Sequence, residues 1–416
     1  MKKFLQILGP GLLYAGAAIG VSHLVQSTRA GAMYNFDLIW VLLLANFLKY
    51  PFFEYGPRYA IATGQTLIQG YEKTGKWAVA VFAILTVASM FIITAAITVV
   101  TVGLLANILK LNISLVELSI FILFAASLVL IVGKFSVLDK IMKFIIVLLT
   151  LSTVVALFSA LGVEKEIAPD FFQNFKWTKA ADIFFLIAFV GWMPAPIDIS
   201  VWSSIWNIEK NKQLGYVPKL KSVLFEFRVG YIGTALLAVC FLGLGALVMF
   251  GTGEVLSENG TLFSEQLISM YTLSIGNWAY WIIAIAAFTT MLSTVITVID
   301  AYSRVMNILS EYYIVKLKTK VNLQTRLLIF WLLILVSGTL IIIIFFAKSM
   351  VFMVTIATTI SFLMAPIFAW LNYKVVTDKH MPAEFRPSLF LRILSWIGIA
   401  FLIGFSAIYL YWQYLS

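Results

Sequence analysis

The sequence predicts an all-α polytopic membrane protein with about eleven transmembrane helices. Three observations predict it. Of the 416 residues, 62% are hydrophobic and only 12% are charged, about half the charge of an average soluble chain, so lipid must solvate part of the apolar surface. Several runs, Trp77 to Leu109 and Leu327 to Ala347 among them, exceed the roughly 18–20 apolar residues that cross a bilayer as a helix. The basic residues are sorted between alternate connecting segments. A β-barrel is excluded, because it would show short alternating segments instead of long apolar runs.

In chain order the spans fall at roughly 6–28, 38–62, 77–107, 114–133, 141–162, 182–206, 229–250, 275–302, 327–347, 350–373 and 390–413, boundaries being good to a few residues. With the N-terminus placed inside, 22 of the 29 Lys and Arg residues lie on the inner side, as the positive-inside rule requires. The expected location is the cytoplasmic (inner) membrane, multi-pass, with the N-terminus inside and the C-terminus outside. The net charge of +10 is then a topology signal, and the expected partner is a lipid bilayer, not nucleic acid. Lys2 and Lys3 precede an apolar stretch with no processing site, so no cleavable signal peptide is expected. The single Cys240 forms no intramolecular disulfide and reads as a buried inert thiol. The connecting segments at about 163–181, 207–227 and 251–274 are loops, so residues 1–416 form one transmembrane domain. Oligomeric state is open.

The first and sixth spans carry irregularities in matching places. The first reads Gly16-Ala17-Ala18-Ile19-Gly20-Val21-Ser22-His23, and the sixth Gly191-Trp192-Met193-Pro194-Ala195-Pro196-Ile197-Asp198. Pro194 and Pro196 lack amide donors and clash with the preceding turn, so the sixth helix is interrupted; Gly20 before β-branched Val21 is a weaker breaker. Freed backbone groups are tolerated at membrane depth only against protein or a wet cavity. Breaks opening each half of a five-plus-five array point to an inverted-repeat transporter with its site near the midplane. The repeats are read as 1–162 (helices 1–5) and 182–373 (helices 6–10), with 390–413 as an extra helix 11. Ordinary proline-kinked packing helices are the alternative.

The chain resembles the natural resistance-associated macrophage protein (NRAMP) family of divalent-metal transporters. Gly9-Pro10-Gly11, Ala30-Gly31-Ala32, Trp40 to Asn46, Arg58 and Ala62-Thr63-Gly64 carry the resemblance, with Val190-Gly191, Met193-Pro194, Ser293-Thr294, Val305-Met306 and Ala365-Pro366 further on. The resemblance implies the LeuT-type fold with helices 1–5 and 6–10 inverted. The family's helix-1 motif Asp-Pro-Gly-Asn falls on Gly20, Val21, Ser22 and His23, and its helix-6 Met-Pro-His-Asn on Met193, Pro194, Ala195 and Pro196. A second family histidine falls on Ser200, and the acidic positions of helix 3 fall near Ala95 and Thr98.

Hard divalent ions need oxygen ligands, usually with a carboxylate, whereas softer metals accept imidazole and thioether. The candidate substrate-binding residues are therefore Gly20, Ser22, His23, Met193, Ala195 and Asp198, of which His23, Met193 and Asp198 are the candidate metal ligands. Intramembrane ionisable groups default to function. Each has a structural alternative: His23 bonded to a carbonyl, Asp198 capping a half-helix, and Met193 packed in the core. Glu54 with Arg58 and Asp300 with Arg304, each four residues apart, read as gating or structural ion pairs. The 12 tryptophans read as interfacial anchors. No phosphate loop, HExxH or Cys/His cluster supports an enzyme, and no cofactor is expected. The expected function is alternating-access transport of a small cation, a divalent metal first, through a rebuilt central site. The alternatives are a small organic solute carried by the same fold and a non-transporting receptor-like scaffold.

Overall fold

The computed structural model describes residues 9–110, 113–132, 135–162, 164–165, 168, 174–313, 321–346 and 349–414. Every regular element among them is helical. Lys2, Lys3, Lys134, Lys316, Lys318 and Lys320, which contribute to the expected orientation, lie outside the described residues.

The first span is split into α1 (Pro10–Ala18) and α2 (Thr28–Tyr34), joined through Gly20 and a π-helical turn at Ser22–Ser27. Then come α3 (Ile39–Thr63), the short α4 (Leu67–Thr74), α5 (Lys76–Leu109), α6 (Leu115–Val132) and α7 (Phe135–Ala160). The sixth span is likewise split into α8 (Ala180–Gly191) and α9 (Ile199–Leu214). The rest is α10 (Leu220–Leu244), the loop helix α11 (Gly260–Ile275), α12 (Tyr280–Tyr313), α13 (Val321–Phe346), α14 (Met350–Thr377) and α15 (Leu389–Tyr414). Each of the eleven expected spans thus has a helix, or a broken pair, in its place. Among the described residues seven helical stretches are long and apolar enough to cross a membrane on their own. The broken first and sixth spans and the charged second span fall short of that measure. The tenth span keeps Pro366 inside α14, and the second keeps Pro51 and Pro57 inside α3.

Small residues set the closest packing. A Cβ on Gly31 would lie 1.9 Å from Leu242 O, and one on Gly245 would lie 2.2 Å from Thr28 O. The outer half of the first span and the end of α10 therefore meet backbone to backbone, as small residues permit within a bilayer. The start of α1 is held by Glu226, which accepts from the amides of Gly9 at 2.9 Å and Gly11 at 2.8 Å, a carboxylate placed at the positive end of a helix. At the edge, α15 lies on α3: a Cβ on Gly398 would stand 2.4 Å from Leu48 O, and Tyr55 Oη pairs with Ser395 Oγ at 2.6 Å.

Candidate functional site

The two breaks lie at the centre of the bundle, and the sequence dictates how each stays open. In the first, the Gly20 amide turns to Ala18 O at 3.0 Å. Ser22 Oγ bonds Ala18 O at 2.5 Å and contacts His23 Nδ1 at 2.7 Å. His23 Nε2 is 2.9 Å from Thr234 O of α10; a carbonyl only accepts, so Nε2 carries the proton and donates. Both ring nitrogens are engaged, and the side chain is fully buried. His23 is thus a tie between the first span and α10.

In the second break Pro194 and Pro196 offer no amides, and α9 begins beyond them. Asp198 Oδ2 accepts from Tyr302 Oη of α12 at 3.0 Å, while Oδ1 is buried with no hydrogen-bond partner. No side-chain cap to α9 forms, so the carboxylate faces α12. The carboxyl end of α8 receives a lysine from α3: Lys49 Nζ donates to Val190 O at 2.6 Å and Gly191 O at 3.1 Å. An ammonium at the negative end of a half-helix is favourable, and this one is fully buried. Trp192, the next residue, donates its indole N–H to Ser361 Oγ at 2.8 Å.

Between the breaks lies a small cavity of about 20 Å³, room for about one water. Its walls are Ala17, Ala18, Val21, Ile93, Ile97, Ile199 and Val298, with Trp192, Trp202 and Pro196, and only Ser22 and Thr294 add hydroxyls. Of the six expected substrate-binding residues, Ser22 lines this cavity; Gly20, His23, Met193, Ala195 and Asp198 are buried around it without lining it. The structure sends His23 to α10 and Asp198 to α12, and Met193 is wholly buried in the core. Among the described residues no three His, Cys, Asp or Glu side chains form a group able to hold a metal.

Trp192, Trp202 and Trp206 are buried at the centre, unlike the interfacial role expected for the tryptophans. Their neighbours Ile93, Ile97, Thr294 and Lys49 were not candidates either. Lys49 carried a usable signal, a lysine in mid-span; the isoleucines carried none, because core and cavity wall look alike in a sequence.

Both expected ion pairs form. Arg58 reaches Glu54 Oε1 through Nε at 3.1 Å and Nη2 at 2.5 Å. Arg228 of α10 meets Glu54 Oε2 at 3.3 Å, Tyr50 Oη also donates to that oxygen, and Arg58 Nη1 bonds Phe385 O at 3.0 Å. Arg304 Nε lies 2.8 Å from both oxygens of Asp300. Arg304 also borders a vestibule of about 600 Å³ on the face carrying the N-terminus, with Gln69, Glu209, Lys212 and Glu311. On the opposite face Arg29, Glu254 and Glu258 border a smaller pocket of about 230 Å³. Trp202, which lines the central cavity, makes a T-shaped contact with Tyr302 at 4.9 Å.

Residues 11–413 match the family described as natural resistance-associated macrophage protein-like, Nramp. An uncharacterized protein of Pasteurella multocida is 38% identical over 408 residues, which cover 97% of this chain and 91% of the relative. Two crystal structures of the Eremococcus coleocola manganese transporter are similar in fold. One is of a mutant, with a TM-score of 0.67; the other is of a complex with an aromatic bis-isothiourea substituted compound, with a TM-score of 0.66. Each is 12% identical to this chain, covering 98% of it and 86% of the transporter. The eleven spans, the breaks in the first and sixth, and a match over nearly the whole length agree: this all-helical membrane protein has the LeuT-type fold and belongs to the Nramp family.

Proposed function

We propose that the chain is a secondary transporter working by alternating access, and that its cargo is a small organic solute taken at the junction of the two broken spans. The observation that carries this reading is the lining of the central cavity. Organic ligands sit in mostly apolar pockets with a few placed polar groups, and here two tryptophans, a proline and seven alanine, valine and isoleucine residues surround two hydroxyls, in a cavity that must widen as the broken spans move before a solute enters. The half-helix ends at Ala18 and Ile199 supply freed backbone groups to cradle a polar end, and Lys49 adds a positive charge beside Trp192. The vestibule and the outer pocket, on opposite faces of the cavity, are the two approaches that alternating access needs. By the positive-inside rule the vestibule faces the cytoplasm.

A second reading keeps a cation, a divalent metal in particular, as cargo. Family membership favours it, and so does the manganese transporter of similar fold. The observation on its side is Asp198 Oδ1, a buried carboxylate oxygen with no partner. Against it stands Gly20 at the helix-1 break, where no carboxylate is present to offset two positive charges.

Thermal-shift titration of the purified full-length protein separates the two. The panel holds manganese, magnesium and zinc chlorides beside small carboxylic acids and amino acids. A saturable rise with one organic compound, lost in Trp202→Ala, supports the solute reading. A rise with a metal that vanishes in Asp198→Asn overturns it in favour of the cation.

A further inference from the structure

Beyond the break, the first span links the central cavity to the outer pocket along one face. Ser22 lines the cavity, and Arg29 and Met33 border the pocket. Gln26 stands between them in the chain. The steps from Ser22 to Gln26, to Arg29 and to Met33 are of three or four residues, the spacing that keeps neighbours on one side of a helix. A single stripe therefore runs from cavity to pocket, with Gln26 midway.

Gln26 is wholly buried, and neither Oε1 nor Nε2 has a hydrogen-bond partner among the described residues. A carboxamide both donates and accepts, and burying it unbonded is costlier than burying an apolar side chain of the same length. A fold with no use for the group would be steadier with methionine here. The turn that carries Gln26 packs against α10 and α8. Further out, α2 and α8 are clasped together. Tyr34 Oη donates to Asp182 Oδ1 at 3.1 Å, and the Phe185 ring lies 5.3 Å from the Tyr34 ring and 5.4 Å from the Arg29 guanidinium carbon. Gln26 lies beneath this clasp, nearer the break. Parting α2 from α8 uncovers the carboxamide and gives it the partners it lacks in the clasped arrangement.

We propose that Gln26 is the polar lining of the outer approach, a specificity-determining residue whose carboxamide meets the hydrogen-bonding end of the cargo on its way to the central cavity. The contact with cargo rests on the transporter reading above; the opening of the outer approach at Gln26 does not.

The test uses the full-length protein with its single cysteine replaced, Cys240→Ser, in membrane vesicles of each orientation. Gln26→Cys and Val25→Cys are treated with a membrane-impermeant methanethiosulfonate reagent. Val25 is equally buried but off the stripe, and Glu254→Cys, exposed at the outer pocket, marks the side. Labelling at position 26 from the Glu254 side, with none at 25, is expected. No labelling at 26, or equal labelling at both, overturns the proposal. In the otherwise unaltered chain, Gln26→Met raises the thermal midpoint in detergent without solute, because the unmet donors and acceptor leave with the carboxamide. A fall shows the carboxamide holding the clasped fold together and overturns the proposal. The probes for the cargo contact are the amino acids and small carboxylic acids of the panel. A compound that shifts the wild type binds Gln26→Met about two- to tenfold more weakly and slows labelling of Gln26→Cys. Unchanged affinity with unslowed labelling overturns the contact. Should no compound shift the wild type, the solute reading fails by itself, and labelling at 26 still upholds or overturns the outer approach.

Discussion

Replacing Glu54 by Gln tests how firmly one buried carboxylate holds the N-terminal face together. Glu54 is fully buried and takes Arg58 on one oxygen, and Tyr50 and Arg228 on the other. Gln preserves the shape and one acceptor oxygen but removes the charge. Arg58, whose side chain is 9% exposed, is then left a buried guanidinium facing only neutral acceptors, Phe385 O and the new amide oxygen. Removing one member of a buried pair costs about 3–5 kcal/mol, because the other charge stays behind. Arg228 is the internal control. Its side chain is 50% exposed, so Arg228→Ala costs about 0–1 kcal/mol. Glu54→Gln with Arg58→Gln removes the orphaned charge as well and recovers part of the loss, with a coupling of about 0.5–3 kcal/mol. Unfolding of the purified protein by dodecyl sulfate in mixed micelles, followed by tryptophan fluorescence, measures these three variants and Arg58→Gln alone. Equal losses for Glu54→Gln and Arg228→Ala, or strict additivity in the double variant, would refute the reasoning.

Three further outcomes follow from the geometry. Gly31→Ala has no room beside Leu242 O and should unfold or strongly destabilise the protein, whereas Gly233→Ala meets nothing within 4 Å and should stay within about 0.5 kcal/mol; size-exclusion profiles after mild heating compare them. Lys49→Met removes two charge-assisted bonds, about 1.5–3 kcal/mol each, but also relieves a buried ammonium that costs several kcal/mol. The two effects nearly cancel, so the variant should fold yet lose solute binding, and a full-strength thermal shift with the cognate solute would count against Lys49. His23→Ala removes one bond to Thr234 O, which keeps its own partner within α10, at a cost of about 0.5–1.5 kcal/mol. Because that ring serves the helix contact, calorimetric heats with manganese should be the same in wild type and variant; heat present only in the wild type would return His23 to the ligand set.

The eleven spans were legible because twenty-residue apolar runs have few other uses, and the sixth-span break because two prolines leave no alternative. The first-span break was legible only in part. Gly20 marks its place, but His23, within the π-helical turn that follows, bonds across to Thr234 of α10, a contact that no local pattern encodes. The ion pairs Glu54–Arg58 and Asp300–Arg304 could be read from four-residue spacing, but the recruitment of Arg228 and Tyr50 could not, since it depends on how α10 crosses α3. The site was the least legible part. His23 and Asp198 flank the breaks in sequence, yet each turns away to a neighbouring helix, and the cavity wall is built from isoleucines and tryptophans indistinguishable from ordinary core.

The contact of α15 with α3 has a mechanical consequence. Gly398 presses on the backbone at Leu48, one residue before the lysine that caps α8, and Ser395 holds Tyr55, one residue after Glu54. The eleventh span is therefore bolted to the stretch of α3 that carries both charges. Any rocking of that stretch must drag a lipid-facing helix sideways through the acyl chains. In the proposed alternating-access cycle, bilayer viscosity and thickness would then act as a brake, applied from the rim of the molecule.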